Sequence, residues 1–143
     1  MTRIRFLHGA HDRLQATARW IAETYRETAA PLVVYAPLRE QADALDRLLW
    51  TSAATGFIPH CAADSALAGE TPVLIASRPA QLDAAPEDAQ LLNLSNEIPP
   101  NIARFTQVTE IINRDDEVRL PGRERFRFYR EQGYPLESQD LAT

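Results

Sequence analysis

A chain of 143 residues with 45% hydrophobic and 24% charged residues has the size and composition of one self-folding domain, far from those of disordered chains. Its net charge of −5 argues against the whole surface being drawn to a phosphate backbone. All fifteen cationic residues are arginine, which excludes a P-loop, a side-chain Schiff base and a Ser/Lys dyad. The lone Cys61 excludes an intramolecular disulfide and a thiolate zinc site and suits a reducing cytoplasm.

Residues 3–7 read as a short strand, and Asp12 stands where a helix N-cap belongs, before an apolar rhythm of Leu14, Ala18, Ile21, Ala22 and Tyr25. The unbroken apolar run 32–36 suits a strand covered on both faces, and a second helix follows over 39–50 with Ala42, Leu45 and Leu49 inward. This β-α-β-α start predicts an α/β fold: a single Rossmann-like domain with a mostly parallel central sheet flanked by helices. Residues 51–71, rich in Ala, Gly, Ser and Thr, read as a long surface connection. Further strands are expected at 73–76, 90–94 and 106–112, with turn material over 78–87. Pro121 predicts a kink at Pro121-Gly122 and a last helix to about Gln132, closed by Gly133. Residues 136–143 are expected to be a flexible tail. The longest apolar stretches, 32–38 and 72–76, are too short to span a bilayer, and no secretory signal follows Arg3 and Arg5.

The five glycines are never two apart, so the dinucleotide-binding fingerprint is missing. His8, His11 and Asp12 fall in a turn rather than on one helix face, which favours a polar turn with an Asp cap over a metal site. His60 and Cys61 are adjacent in sequence, where side chains usually diverge, and Asp64-Ser65 lacks a nucleophile-elbow setting. No catalytic site, metal or cofactor is expected.

Two stretches look like binding surfaces. Six of the fifteen arginines lie at or beyond Arg114. Arg123, Phe126, Arg127 and Arg130 share one helical face at i, i+3, i+4 and i+7, and Arg119 extends the row if the helix runs through Pro121. Phe128 and Tyr129 are expected to supply the core contact on the opposite side. A cationic face with an aromatic in it suits a peptide bearing carboxylates and a terminal aromatic. The plain alternative is a solvated face partly neutralised by Glu124 and Glu131, and direct DNA binding sits poorly with the acidic remainder. The second surface is Trp50 with Phe57-Ile58-Pro59-His60, whose large apolar groups are either partner anchors or ordinary core. A rival of another class is a small enzyme acting on an anionic substrate, with Arg123 and Arg127 as clamp and the His8–Asp12 turn as acid/base; it requires both regions in one cleft.

Three stretches, Ala42 to Trp50, Gly56-Phe57-Ile58-Pro59-His60, and Gly122 to Arg130 with Gly133-Tyr134, resemble the chi subunit of bacterial DNA polymerase III, and the likeness runs the length of the chain. The resemblance implies a Rossmann-like fold without nucleotide, cofactor or catalysis. It also implies a cytoplasmic adaptor that holds the acidic C-terminal tail of single-stranded DNA-binding protein on Ile112, Arg119, Arg123, Phe126 and Arg127. Arg130 extends that face. Phe126 stands where the family commonly has tyrosine. Trp50, Phe57, Ile58 and Pro59 match the surface for the psi subunit of the clamp loader or a functional equivalent, and in some bacteria a repair helicase competes there. No membrane or direct nucleic-acid contact is implied.

Overall fold

A computed structural model describes residues 2–28, 30–51 and 58–141. Seven strands form one sheet in which every pairing is parallel: β1 (Arg3–Ala10), β2 (Leu32–Tyr35), β3 (His60–Ala62), β4 (Val73–Ala76), β5 (Gln90–Asn93), β6 (Gln107–Asn113) and β7 (Leu136–Asp140), in the order β3-β4-β2-β5-β6-β1-β7. Four helices connect them: α1 (Arg13–Glu27), α2 (Arg39–Thr51), α3 (Pro79–Asp83) and α4 (Asp116–Glu131).

From β1 to β3 the chain moves toward one edge of the sheet, and from β4 to β7 it returns. Because parallel crossovers are right-handed, a reversal of direction puts the later helices on the opposite face. The core divides accordingly. Ile21, Leu45 and Leu49 from α1 and α2 pack on Val34, Leu92 and Ile111, while Leu82 and Tyr129 from α3 and α4 pack on Val33, Leu91 and Val108. The sheet is covered twice over β2, β4 and β5, which is why Leu32–Tyr35 and Val73–Ala76 are buried at every position.

Local chemistry sets the helix ends. Asp12 caps α1, its carboxylate accepting from the Gln15 N–H at 3.0 Å. Gly133, at φ 80°, closes α4. Gly133 N–H donates to the Arg130 carbonyl and Tyr134 N–H to the Tyr129 carbonyl, the two bonds of a Schellman ending.

Several expectations are corrected. Helix α4 is one helix from Asp116 to Glu131 with Pro121 inside it, where a short turn or helix followed by a separate last helix was expected. The proline removes the one bond that the Glu117 carbonyl would accept, and Glu117 is exposed, while Gly122, Arg125 and Tyr129 are buried on the sheet side and hold the helix through that point. Within the expected 51–71 connection, residues 60–62 form β3, and within the expected 78–87 turn, Pro79 starts α3. Residues 136–140, expected as part of a tail, pair with β1 as an edge strand. Phe128 stays 38% exposed, so Tyr129 alone of that pair enters the core.

Candidate functional site

Strands β6 and β1 are neighbours, yet the helix after β1 lies on one face of the sheet and the helix after β6 on the other. Such a switch point opens a crevice at the carboxyl ends of the strands, where ligands of open α/β sheets bind. Here it holds a pocket of about 390 Å³. Phe6, Ile112, Gly122 and Phe126 give it an apolar floor and wall, and Arg114, Arg119 and Arg123 bring positive charge. His8 and Gly9 from the end of β1, Asn113 from the end of β6 and Ser138 from β7 complete the lining.

The floor depends on how closely α4 approaches β6. A Cβ on Gly122 would lie 2.9 Å from Ile112 Cδ1, inside van der Waals contact, so glycine lets the helix settle against the strand. The Phe126 ring meets Phe6 edge-on at 5.2 Å between centroids, an arrangement favoured between aromatic rings.

Behind the floor, a buried polar network fixes α4. Glu110 is fully buried on β6. Arg125 grips it with two bonds, Nε donating to Oε2 at 3.1 Å and Nη2 donating to Oε1 at 3.0 Å. The Tyr129 hydroxyl and Asn93 Nδ2 also donate to Oε2, each at 2.9 Å. The carboxylate thus has a charge partner and a full set of donors, without which its burial would be prohibitive. Burial and the adjacent Glu110 carboxylate push the Tyr129 hydroxyl well above the usual tyrosine range. Burial pulls Arg13 down to about 10, against the attraction of Glu110, and its Nε donates to the Ile111 carbonyl at 2.7 Å.

The continuous helix brings Arg119, Arg123 and Phe126 into the lining of one pocket with Ile112 of β6. Arg127 and Arg130 lie outside that lining and are exposed farther along α4. Arg119 Nη2 is paired with Asp116 Oδ1 at 2.5 Å, and Arg127 Nη1 with Glu124 at 3.4 Å. The peptide-binding pattern omitted Phe6, Arg114 and Ser138, and His8 entered only through the rival enzyme reading. Phe6 looks like plain core in a strand, and the others converge only once β1, β6 and β7 are neighbours.

At the second surface, Trp50 is 58% exposed and packs its ring 5.0 Å from that of His60. Pro59 is half-buried, whereas Ile58 is enclosed in the core with Leu45 and Leu49, so the expectation that Ile58 faces a partner is corrected. Phe57 lies outside the described residues. His60 Nδ1 donates to the Ile58 carbonyl at 2.7 Å and holds the chain as it enters β3. Among the described residues there is no group of three metal-ligating side chains and no helix long and apolar enough to cross a membrane.

The family model described as DNA polymerase III chi subunit, HolC, matches residues 1–137. DNA polymerase III subunit chi of Pseudomonas aeruginosa is 32% identical over 131 residues, covering 90% of this chain and 87% of that protein. The subunit chi of Escherichia coli K12 is 28% identical over 128 residues, covering 87% and 86%, and that of Haemophilus influenzae is 32% identical over 101 residues, covering 71% and 69%. A chain in the crystal structure of the E. coli DEAD-box protein SrmB bound to regulator of ribonuclease activity A is similar in fold, with a TM-score of 0.62 at 12% identity over 97% of this chain and 91% of that one. The chain belongs to the DNA polymerase III chi subunit family, and its relatives are accessory subunits of the replicative polymerase.

Proposed function

We infer that this replication subunit is a non-catalytic adaptor that holds the acidic C-terminal tail of single-stranded DNA-binding protein in the pocket at the β6–β1 switch point. The observation that carries this reading is the pairing of an apolar floor, Ile112, Gly122 and Phe126, with guanidinium groups of Arg119 and Arg123 at its edge. A peptide ending in an aromatic residue offers both halves of the complement. Its ring covers the floor, and its terminal carboxylate takes a planar guanidinium through two parallel bonds. Arg127 and Arg130, exposed farther along α4, add positive charge that draws an acidic tail to this face. The exposed Trp50 and the half-buried Pro59 are the surface offered to psi or its equivalent. Tethering then works by local concentration, because several tails on one oligomer multiply a modest affinity.

The rival reading as an enzyme on an anionic substrate draws support from one fact, that His8 and Arg123 line the same pocket. Its other members lie elsewhere: Arg127 is outside the lining, and His11 and Asp12 border a separate depression along α1. Asp12 is also committed to capping that helix.

The test is calorimetric titration with a short synthetic peptide carrying several aspartates and ending in phenylalanine, beside the same peptide lacking that last residue. Micromolar binding that is lost on truncation and weakened by salt supports the reading. Equal binding of both peptides, or of neither at low salt, overturns it.

A further inference from the structure

The three arginines that line the pocket are not equally engaged within the protein. Arg119, the middle of the three lining arginines, already spends its guanidinium on Asp116 in the same helix turn, at 2.5 Å. Among the described residues, the side chains of Arg123 and Arg114 have no ion pair or hydrogen bond within the protein, and both are exposed. They enter the pocket from different elements, Arg123 from within α4 and Arg114 from the turn between β6 and α4. His8, from the end of the neighbouring strand β1, lines the same pocket and adds a further hydrogen-bonding group, whereas the Asn113 side chain is already bonded to Asp115.

An apolar floor with an unspent guanidinium on each of two elements calls for a ligand with two carboxylates and an apolar group. We propose that Arg114, assisted by His8, forms a second carboxylate subsite, which takes an acidic side chain upstream of the terminal residue while Arg123 takes the terminal carboxylate. This rests on the peptide-binding reading and deepens it. Binding through Arg123 alone would accept any chain ending in an aromatic. A second grip at the strand ends demands acid at a fixed distance upstream, which makes Arg114 a determinant of specificity as well as affinity. The partner is therefore an acidic peptide bound in one direction, its C-terminus toward α4 and its preceding acid toward the ends of β1 and β6.

The experiment is a double-mutant cycle by calorimetry on the full chain. Arg114→Gln is titrated with the aspartate-rich peptide ending in phenylalanine and with versions in which each aspartate in turn is asparagine. Arg47→Gln, an exposed residue of α2 on the opposite face of the sheet, controls for the loss of one positive charge. Arg114→Gln is expected to weaken the parent peptide about threefold to fivefold, the range of an exposed ion pair. One particular Asp→Asn peptide should lose a similar factor against the parent protein and nothing further against Arg114→Gln. Removing the terminal phenylalanine should remain ruinous in both proteins. If the parent protein binds the peptide while Arg114→Gln behaves like Arg47→Gln, or if no aspartate couples to Arg114, the subsite is wrong and the adaptor reading survives. Failure of the parent protein to bind the peptide at all overturns both.

Discussion

Arg125 and Arg123 stand two residues apart on α4 and meet opposite fates. Arg125 is 2% exposed, with two bonds to Glu110; Arg123 is exposed at the rim of a pocket. The buried arginine fixes where the helix lies, and the open one has no ion pair or hydrogen bond among the described residues. A helix presented to a partner gains from such a division, because a rigid inner face spares the outer face the entropic cost of ordering when it binds.

Breaking the inner face should have the largest effect. Glu110→Gln removes the charge partner of a buried guanidinium and leaves its donors poorly matched, so thermal or urea unfolding should show a loss of about 3–5 kcal/mol. Reversing charge on the outer face separates the two roles. In Arg123→Glu/Arg127→Glu, tail-peptide binding should disappear from calorimetry while stability stays within about 1 kcal/mol of the parent, since both side chains are exposed. A folded double variant that binds unchanged would show that the outer arginines are only a solvated surface.

Tyr129→Phe probes the inner network more gently. It removes one donor to the Glu110 carboxylate, a loss of about 1–3 kcal/mol at neutral pH, and it changes the alkaline behaviour. An unfolded tyrosine loses its proton near pH ~10, whereas burial and Glu110 hold the Tyr129 proton above that. Between those limits the native state binds more protons than the unfolded one, so its contribution to stability falls as pH rises beyond about 10. Arg13, lowered to about 10, acts in the opposite sense over the same range. Unfolding midpoints followed upward from pH ~9 should therefore decline less steeply in Tyr129→Phe than in the parent.

Gly122→Ala should have the smallest effect on stability and still alter the pocket. The substitution gains helix propensity of roughly 0.5–1 kcal/mol, but its methyl would sit 2.9 Å from Ile112 Cδ1 and force that side chain to move. Near-neutral unfolding with several-fold weaker peptide binding is expected; unchanged binding would remove Ile112 from the floor.

Much of this was legible in the residues. The apolar run at 32–36 marked a doubly covered strand and the run at 73–76 a strand, Asp12 and Gly133 marked helix ends, and the i, i+4 spacing put Arg119 and Arg123 on one side of α4. The errors share a cause. Pro121 looked like the junction of two segments because propensity is local, and tertiary packing of Gly122, Arg125 and Tyr129 holds one helix through it. Residues 60–62 and 136–140 have too few apolar side chains to declare themselves as strands, and they become strands because they find a sheet edge. Arg125 and Arg123 cannot be told apart by charge pattern, since the burial of one depends on Glu110, fifteen residues away on the neighbouring strand. Arg114 and His8 were invisible as a pair until β6 lay beside β1.

The most direct measurement is amide chemical-shift mapping of the isotope-labelled chain during titration with the acidic peptide ending in phenylalanine. The expected shifts concentrate at Ile112, Arg114, Gly122, Arg123 and Phe126 and at the carboxyl end of β1, with Trp50 and α2 unchanged. Shifts confined to the Trp50 surface, or spread evenly over exposed arginines without the pocket residues, would contradict the placement of the binding site at the β6–β1 switch point.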